Sequence, residues 1–356
     1  MADLLVVGAG LVGTSVALAL HKHRDVVVTD HNPAHVSLAL ERGAGRKWDG
    51  TEPADLVLLA IPPRQIAGEL RRLQRLGISQ MWSHCSSSQS RVQREVETQN
   101  SLPARVCGGH PMAGSERSGP QAAAARLFQG RPWIVCAGTS TDLDVRDAVE
   151  SLARDCGAHP VRLDPAEHDR AVALVSHLPQ LASSGVAAQL LGRAESVRAT
   201  AGPGLRDTTR IAASAPNLWE EVLGDNAGEV APLLKALADD LAAAADALER
   251  HAAGDPAALG EVVALLARGQ AGRALVPVKR GEHDADFLPV AVSLPDKPGQ
   301  LAALLATAAG AGVNVEDVRL EHLAGRPRGL VELQVVPGER NQLRAALVAG
   351  SWELVD

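Results

Sequence analysis

The first thirty residues narrow the fold more than any other stretch of the chain. Leu4-Leu5-Val6-Val7 is a short apolar run of buried-strand type, and Gly8-Ala9-Gly10-Leu11-Val12-Gly13 follows it directly. Thr14 to His21 then carries apolar residues at helical spacing. In a strand–GxGxxG–helix unit the first glycine makes the turn, the second leaves room for a pyrophosphate, and the third lets the helix pack close to the strand. The free N–H groups and positive dipole end of the helix then face the anion. Gly8, Gly10, Leu11, Val12 and Gly13 are therefore the expected dinucleotide contacts. A second strand, Val26 to Thr29, ends in Asp30, 17 residues past Gly13. A carboxylate there accepts hydrogen bonds from a ribose 2′-hydroxyl and repels a 2′-phosphate. His31-Asn32-Pro33 follows it rather than an arginine, so NAD is expected over NADP. The competing role for Asp30 is to cap the helix after Pro33.

Further strand ends point to the same crevice. Asp55 to Pro63 reads as a buried parallel strand that stops at two prolines, and its end, Ala60-Ile61-Pro62, should border the cofactor. Met81 to Ser88 and Val106 to His110 read as the next two strand ends. His110 precedes Pro111, follows Gly108 and Gly109, and is followed by Gly114, Ser115, Glu116 and Arg117. Proline restricts the residue before it, and glycines allow tight turns or close approach of the backbone to a ligand. This frame holds an imidazole in one place, as a proton-handling residue requires. A structural loop histidine is the alternative.

At 356 residues the chain has room for two or three domains. A net charge of -7 supplies no basic field for nucleic acid or an anionic membrane. No charged leader precedes Leu4, and no apolar run approaches the length of a membrane span. Cys85, Cys107, Cys136 and Cys156 are scattered without zinc-ligand spacing. They read as free thiols in a reducing cytoplasm, and no metal is expected. With no tyrosine and two phenylalanines, the cores must be built from Leu, Val and Ala.

After Asp164 the pattern turns helical, over Ala166 to Leu191, Leu218 to Leu223 and Gly228 to His251. Leu233 to Leu248 is apolar on nearly all faces, which predicts burial, with surplus surface forming a dimer interface. A helical cap on a monomer is the alternative. Two polar clusters interrupt this region: Ser176-His177-Leu178-Pro179-Gln180, and the stretch from Gly204 to Trp219 that holds Arg206, Asp207 and Arg210. Arg210 offers a planar fork suited to a carboxylate, or with Asp207 forms a paired helix start. Gly269 to Asp286 is rich in Gly, Arg, Pro and charge, and residues 273–286 read as a linker. From Phe287 the chain restarts: strand Leu288 to Leu294, helix Gln300 to Ala311, strand Val313 to His322, strand Gly329 to Val336, helix Glu339 to Ala349 and a last strand near Trp352. This βαββαβ order predicts a ferredoxin-like domain.

Three motifs in this order, Gly109-His110-Pro111-Met112-Ala113-Gly114, Ser176-His177-Leu178-Pro179 and Arg206 to Ala212 with Trp219, resemble those of prephenate dehydrogenases. The tail, with Asp296-Lys297-Pro298-Gly299-Gln300-Leu301 and Gly312-Val313-Asn314-Val315, resembles an ACT domain, and the Ala/Arg-rich composition resembles the actinobacterial branch. The resemblance implies a Rossmann-type NAD domain (1–164), a helical substrate and dimerisation domain (165–272), the linker, and an ACT regulatory domain (287–356). The implied reaction is oxidative decarboxylation of prephenate to 4-hydroxyphenylpyruvate in tyrosine biosynthesis, with arogenate or a 4-amino analogue as alternative substrates. A non-catalytic ACT-domain amino-acid sensor is the reading from a different class.

The resemblance also implies residue roles. His110 accepts the hydroxyl proton, helped by Ser87. His177 is a second active-site histidine, and Arg210 binds a substrate carboxylate. Asp207 and Glu116 position Arg210 and the entrance; Ser115 and Gln180 complete the substrate site, with Gln180 next to the prephenate/arogenate choice. Asp296, Pro298, Gly299 and Asn314 would hold an effector such as tyrosine at a domain-pair interface. One departure stands out. Where the family has Asp-x-Gly/Ala-Ser-x-Lys, this chain has His84-Cys85-Ser86-Ser87-Ser88-Gln89, which makes Ser86 and Ser88 candidates beside Ser87.

Overall fold

Apolar residues on both faces of the first strands force a sheet that is covered on each side. The computed structural model describes residues 1–99, 101–114, 117–276, 287–322 and 327–355. Ser115, Glu116 and most of the expected linker lie outside them. The chain divides into two units, 1–242 and 243–356.

The first unit is built on eight strands: β1 (Ala2–Val7), β2 (Val26–Thr29), β3 (Arg46–Lys47), β4 (Ala54–Leu59), β5 (Trp82–Cys85), β6 (Val106–Pro111), β7 (Pro132–Cys136) and β8 (His159–Leu163). Their order is β3-β2-β1-β4-β5-β6-β7-β8. All neighbours are parallel except β6 and β7. Leu4 and Val6 face one core layer with Val16, Leu20 and Leu58. Leu5 and Val7 face the other with Val57, Leu59, Ile66 and Leu70. This two-sided burial explains the unbroken apolar runs. The chain leaves β1 toward β2 and later returns to β4 on its other side, so the crevice opens at the β1/β4 switch point. β7 and β8 were not anticipated. Pro132–Cys136 is a short apolar run, but β8 is largely exposed and has no apolar pattern to reveal it.

The helical part opens at Asp164, whose side chain accepts from the Glu167 N–H while Glu167 reaches back, with Pro165 at the first position. This capping box is a strong start signal. Helix Pro165–Val172 runs into a five-residue π segment, Ala173–His177, and on as helix Leu178–Ala188. Pro179 has no N–H to close the normal α turn, which accounts for the widened turn just before it. Residues Pro165–Ala188 together are long and apolar enough to cross a membrane by length and composition (mean hydropathy 1.2). This corrects the expectation that nothing in the chain approaches that length. Polar His168, His177 and Gln180 interrupt the run in the sequence, so it is apolar only on average.

Helix Ala227–Ala252 is buried only in part and keeps the surplus apolar surface that its composition suggested. Val230 and Ala247 are buried, but Leu234, Leu241 and Leu248 are 38%, 57% and 49% exposed, so most of its apolar face is uncovered in a single chain.

In the second unit, helix Leu259–Ala274 extends through the start of the stretch read as a linker. Gly269 and Gly272 lower helix propensity without ending the helix, because Gln270 and Ala271 between them and Arg268 and Arg273 beside them favour it. Beyond the undescribed residues come β9 (Leu288–Pro295), helix Gln300–Gly310, β10 (Asp317–His322), β11 (Arg328–Val335), helix Arg340–Ala349 and β12 (Glu353–Val355). They form an antiparallel sheet ordered β10-β11-β9-β12. Val290, Val292, Val331 and Leu333 alternate onto one face and pack on Leu304, Ala308, Leu343 and Leu347. β10 starts at Asp317, later than expected, because Val313 turns into the core instead of extending. Asp317 is level with Gln334, and Gln334 with Pro289. Asn314 therefore lies at the opposite end of the sheet from Asp296, Pro298 and Gly299, and one copy of the domain does not bring the four together.

Candidate active site

The dinucleotide loop fits the group it was read for. Gly8 has φ +107°, and a Cβ there would fall 2.3 Å from the Ala60 carbonyl oxygen. A Cβ on Gly13 would fall 1.9 Å from the Gly8 carbonyl oxygen, whereas Gly10 faces open space. Helix Leu11–Leu20 follows with Gly10 as its cap, so the N–H groups of Leu11 and Val12 belong to its unpaired first turn. Asp30 accepts from the Ala9 N–H at 2.7 Å and the Asn32 N–H at 2.8 Å. The cap of the following helix is Asn32, not Asp30. A groove of about 410 Å³ lies beside this carboxylate, lined by Gly8, Thr29, His31, Ile61, Gln65 and Arg72. Ala60 donates to the Val7 carbonyl at 2.7 Å and Pro62 caps the next helix, which fixes the loop around Ile61.

The ends of β4, β5 and β6 share one sheet edge, with Leu59 level with His84 and His84 with Gly108. His110 sits at the end of β6, and its Nδ1 lies 2.8 Å from Nε2 of His168, a residue the sequence reading passed over. His168 Nδ1 lies 2.8 Å from Asp169 Oδ1. The Asp169 carboxylate also accepts from the N–H groups of Gln89 and Ser90, at 2.9 Å each. Burial works to raise its pKa, but His168, Ser90 and Gln89 outweigh it and hold the carboxyl below its ordinary value. Burial, then the nearby His168 and His177, push His110 down to about 3. His177 is pushed down to about 4, first by burial. Both rings are neutral at physiological pH.

A carboxylate accepts only, so His168 carries its hydrogen on Nδ1, and in the neutral ring Nε2 is a lone pair. His110 must then donate from Nδ1, which leaves its own Nε2 bare. Gly108 and Gly109 serve packing more than ligand approach. A Cβ would meet Gln89 Oε1 at 2.1 Å from position 108, and Trp133 Nε1 at 2.8 Å from position 109.

The unusual segment 84–89 is a neutral, internally bonded turn. Gln89 Nε2 donates to the Ser86 and Gly109 carbonyls at 2.7 and 3.0 Å. His84 is buried with no partner on Nδ1, and burial pushes it down to about 3. The Ser86 hydroxyl donates to the Ser88 carbonyl and the Ser88 hydroxyl to Asp225. Ser87 is the half-buried one, with no hydrogen-bond partner on its hydroxyl among the described residues.

A cleft of about 710 Å³ is lined by Gly114, Ser176, Gln180, Arg210, Ser214 and Trp219, with Val175, Pro179, Ile211, Ala213 and Leu218 as its apolar wall. Gln180 is buried, 3.5 Å from the Ser184 hydroxyl. Arg210 opens the turn Arg210–Ala213 with its guanidinium exposed and no ion-pair partner among the described residues. Asp207 is exposed one helical turn earlier and makes no ion pair with Arg210. Asp207 is on helix Pro203–Thr209 while Arg210 follows on the tighter turn, so the alternative of a paired helix start does not hold.

The π segment bears directly on this geometry. In a plain α-helix of about 100° per residue, positions nine apart face opposite ways. The wider turn brings His177 back to the side of His168, where Asn226 Nδ2 spans from the Asp169 carbonyl (2.7 Å) to His177 Nδ1 (3.2 Å). The sequence carried signals for part of this. Glu167-His168-Asp169 follows a capped helix start, but nothing local shows that its histidine meets one 58 positions earlier.

The chain is similar to known proteins in sequence and in fold. The family model for the prephenate dehydrogenase nucleotide-binding domain matches residues 16–162, and that for the prephenate dehydrogenase dimerization domain matches 164–262. A probable prephenate dehydrogenase of Streptomyces niveus, NovF, is 31% identical over 99% of both chains. The prephenate dehydrogenase of Bacillus subtilis is 27% identical over 89% of this chain and 87% of its own. The solved structure of A. aeolicus prephenate dehydrogenase with hydroxyphenyl propionate and NAD+ superposes with a TM-score of 0.67, at 25% identity over 78% of this chain and 99% of that one. Matched by both family models and 31% identical to NovF along nearly its whole length, the chain belongs to the prephenate dehydrogenase family.

Proposed function

We propose that this protein oxidises prephenate with NAD+ to 4-hydroxyphenylpyruvate and CO2. The observation that carries the reading is His110, a neutral imidazole with Nδ1 tied to His168 and a bare Nε2, on the sheet edge that also carries the dinucleotide loop. NAD+ bound against Gly8–Gly13 and Asp30 supplies the hydride acceptor. His110 Nε2 takes the ring-hydroxyl proton as the C–O bond becomes a carbonyl. Positive charge on His110 is shared toward His168 and Asp169, which offsets the low basicity that burial imposes. Loss of CO2 from the opposite ring carbon restores aromaticity, and the proton returns from His110 to the phenolate oxygen, so none is released overall. Ser87 donates to the same oxygen. Arg210 binds a carboxylate, and Gln180 and Ser176 border the side chain of the substrate.

Assays of the purified protein with prephenate and with arogenate, following NADH absorbance, test the reading. Turnover of prephenate is expected, and turnover of arogenate alone would overturn it. His110→Asn is expected to lower kcat by about 10²–10⁴-fold while NAD+ affinity stays unchanged.

The remaining proposals concern assembly and control. The exposed leucines of helix Ala227–Ala252 support a homodimer through the helical region. The four free thiols support a cytoplasmic setting. The β-α-β-β-α-β order of residues 288–355 supports a ferredoxin-like ACT domain. Because Asp296, Pro298 and Gly299 lie at one end of its sheet and Asn314 at the other, an effector such as tyrosine would need two copies of the domain. Calorimetry of the full-length protein with tyrosine and with phenylalanine checks this, and no heat from either excludes an aromatic effector.

A further inference from the structure

Asn226 follows helix Pro216–Asp225 and is 4% exposed. Its amide nitrogen faces the Asp169 carbonyl at 2.7 Å and His177 Nδ1 at 3.2 Å. An amide NH2 has two hydrogens and accepts nothing, so both contacts are donations. Nδ1 of His177 is therefore a lone pair, and in the neutral ring the hydrogen is on Nε2. No described residue accepts from that Nε2. His177 is 1% exposed and sits behind the cleft, which its chain neighbours Ser176, Pro179 and Gln180 line together with Trp219, whose ring stands edge-on to the imidazole at 6.0 Å.

We propose that Asn226 is a positioning residue that holds His177 in its Nε2–H form, making it a fixed hydrogen-bond donor to a substrate oxygen rather than a second base. The two site histidines are thereby set in opposite senses. His110 presents a bare nitrogen that takes a proton, and His177 presents an N–H that recognises a ketone or carboxylate oxygen. Asp169 anchors both: its side chain sets His168 and through it His110, and its backbone carbonyl takes the other hydrogen of Asn226. An ammonium group cannot accept from such a donor, so the arrangement favours an oxygen at that position of the substrate. Only this last step, naming the substrate group, rests on the proposed reaction.

Nitrogen-15 NMR of the full-length protein labelled at histidine reads the tautomer directly, with His177 assigned by the signals lost in His177→Gln. At neutral pH the native protein should show His177 protonated on Nε2. Asn226→Asp replaces the donor with an obligate acceptor and should move that proton to Nδ1. The KM for prephenate should then rise about tenfold or more, the factor for losing a hydrogen bond to a charged oxygen, while the KM for NAD+ stays within about twofold. A native His177 protonated on Nδ1 overturns the proposal, as does an Asn226→Asp protein whose proton has moved while the KM for prephenate has not. The native spectrum is decisive even if the variant fails to fold. It is also independent of whether prephenate is turned over, which separates this proposal from the substrate assignment.

Discussion

In the proposed reaction, Asp169 is the residue that orients both site histidines. Its carboxylate bonds the His168 ring and the N–H groups of Gln89 and Ser90, and its backbone carbonyl accepts from the Asn226 amide. Asp169→Ala would remove the acceptor that holds the His168 hydrogen on Nδ1, let that ring reverse, and send the His110 hydrogen to Nε2, where it blocks proton uptake. A fall in kcat of about 10²–10⁴-fold is expected, in line with reversing a tautomer in other histidine relays, with the KM for NAD+ little changed. Steady-state kinetics with both substrates varied checks this. The buried histidines also set a direction for acid stability. His84 and His110 are held near 3 and His177 near 4, below the ordinary 6.5. Between pH 6.5 and about 4 the unfolded chain therefore binds protons that the folded protein does not. Stability is fully present above pH 6.5 and falls as the pH drops through that window, by up to about 1.4 kcal/mol per pH unit for each such histidine. Thermal melts across pH 4–8 should show Tm declining below 6.5, and a flat Tm there would contradict the burial of these rings.

Among the elements, the loop between β1 and its helix tolerates least. Gly13→Ala places a methyl group against the Gly8 backbone, which a flexible side chain cannot relieve. Loss of NAD+ binding by about tenfold or more, or failure to fold, is expected, read by fluorescence titration and by circular dichroism. These early elements were legible because their signals are local: an apolar run, glycines at fixed offsets and a terminal aspartate. His110, His177 and Arg210 were likewise visible as residues in motifs. The connections among them were not, because His110–His168 and Asn226–Asp169 join residues 57 or more positions apart. β8 escaped notice because a mostly exposed strand has no apolar period. The paired reading of Asp207 and Arg210 failed because sequence proximity does not specify where one helix gives way to a tighter turn.

At the scale of the whole molecule, the helical region exposes more apolar surface than a finished fold needs. Leu241 and Leu248, with Val263 and Leu266 on the helix that follows, are each about half to two-thirds exposed. Sedimentation of the native protein should give twice the mass of one chain, and Leu241→Glu with Leu248→Glu should shift it toward the monomer at micromolar concentration. The π segment at Ala173–His177 has a consequence for how this chain can vary. It makes the number of residues between His168 and His177 part of the catalytic design, independent of which residues they are. Deleting Leu174 or Val175 would preserve every motif letter and still change the rotation between His168 and His177. It would also turn the Pro179–Gln180 wall about 100° away from the half of the site that Asp169 holds. Length, in this helix, is as much a functional specification as identity.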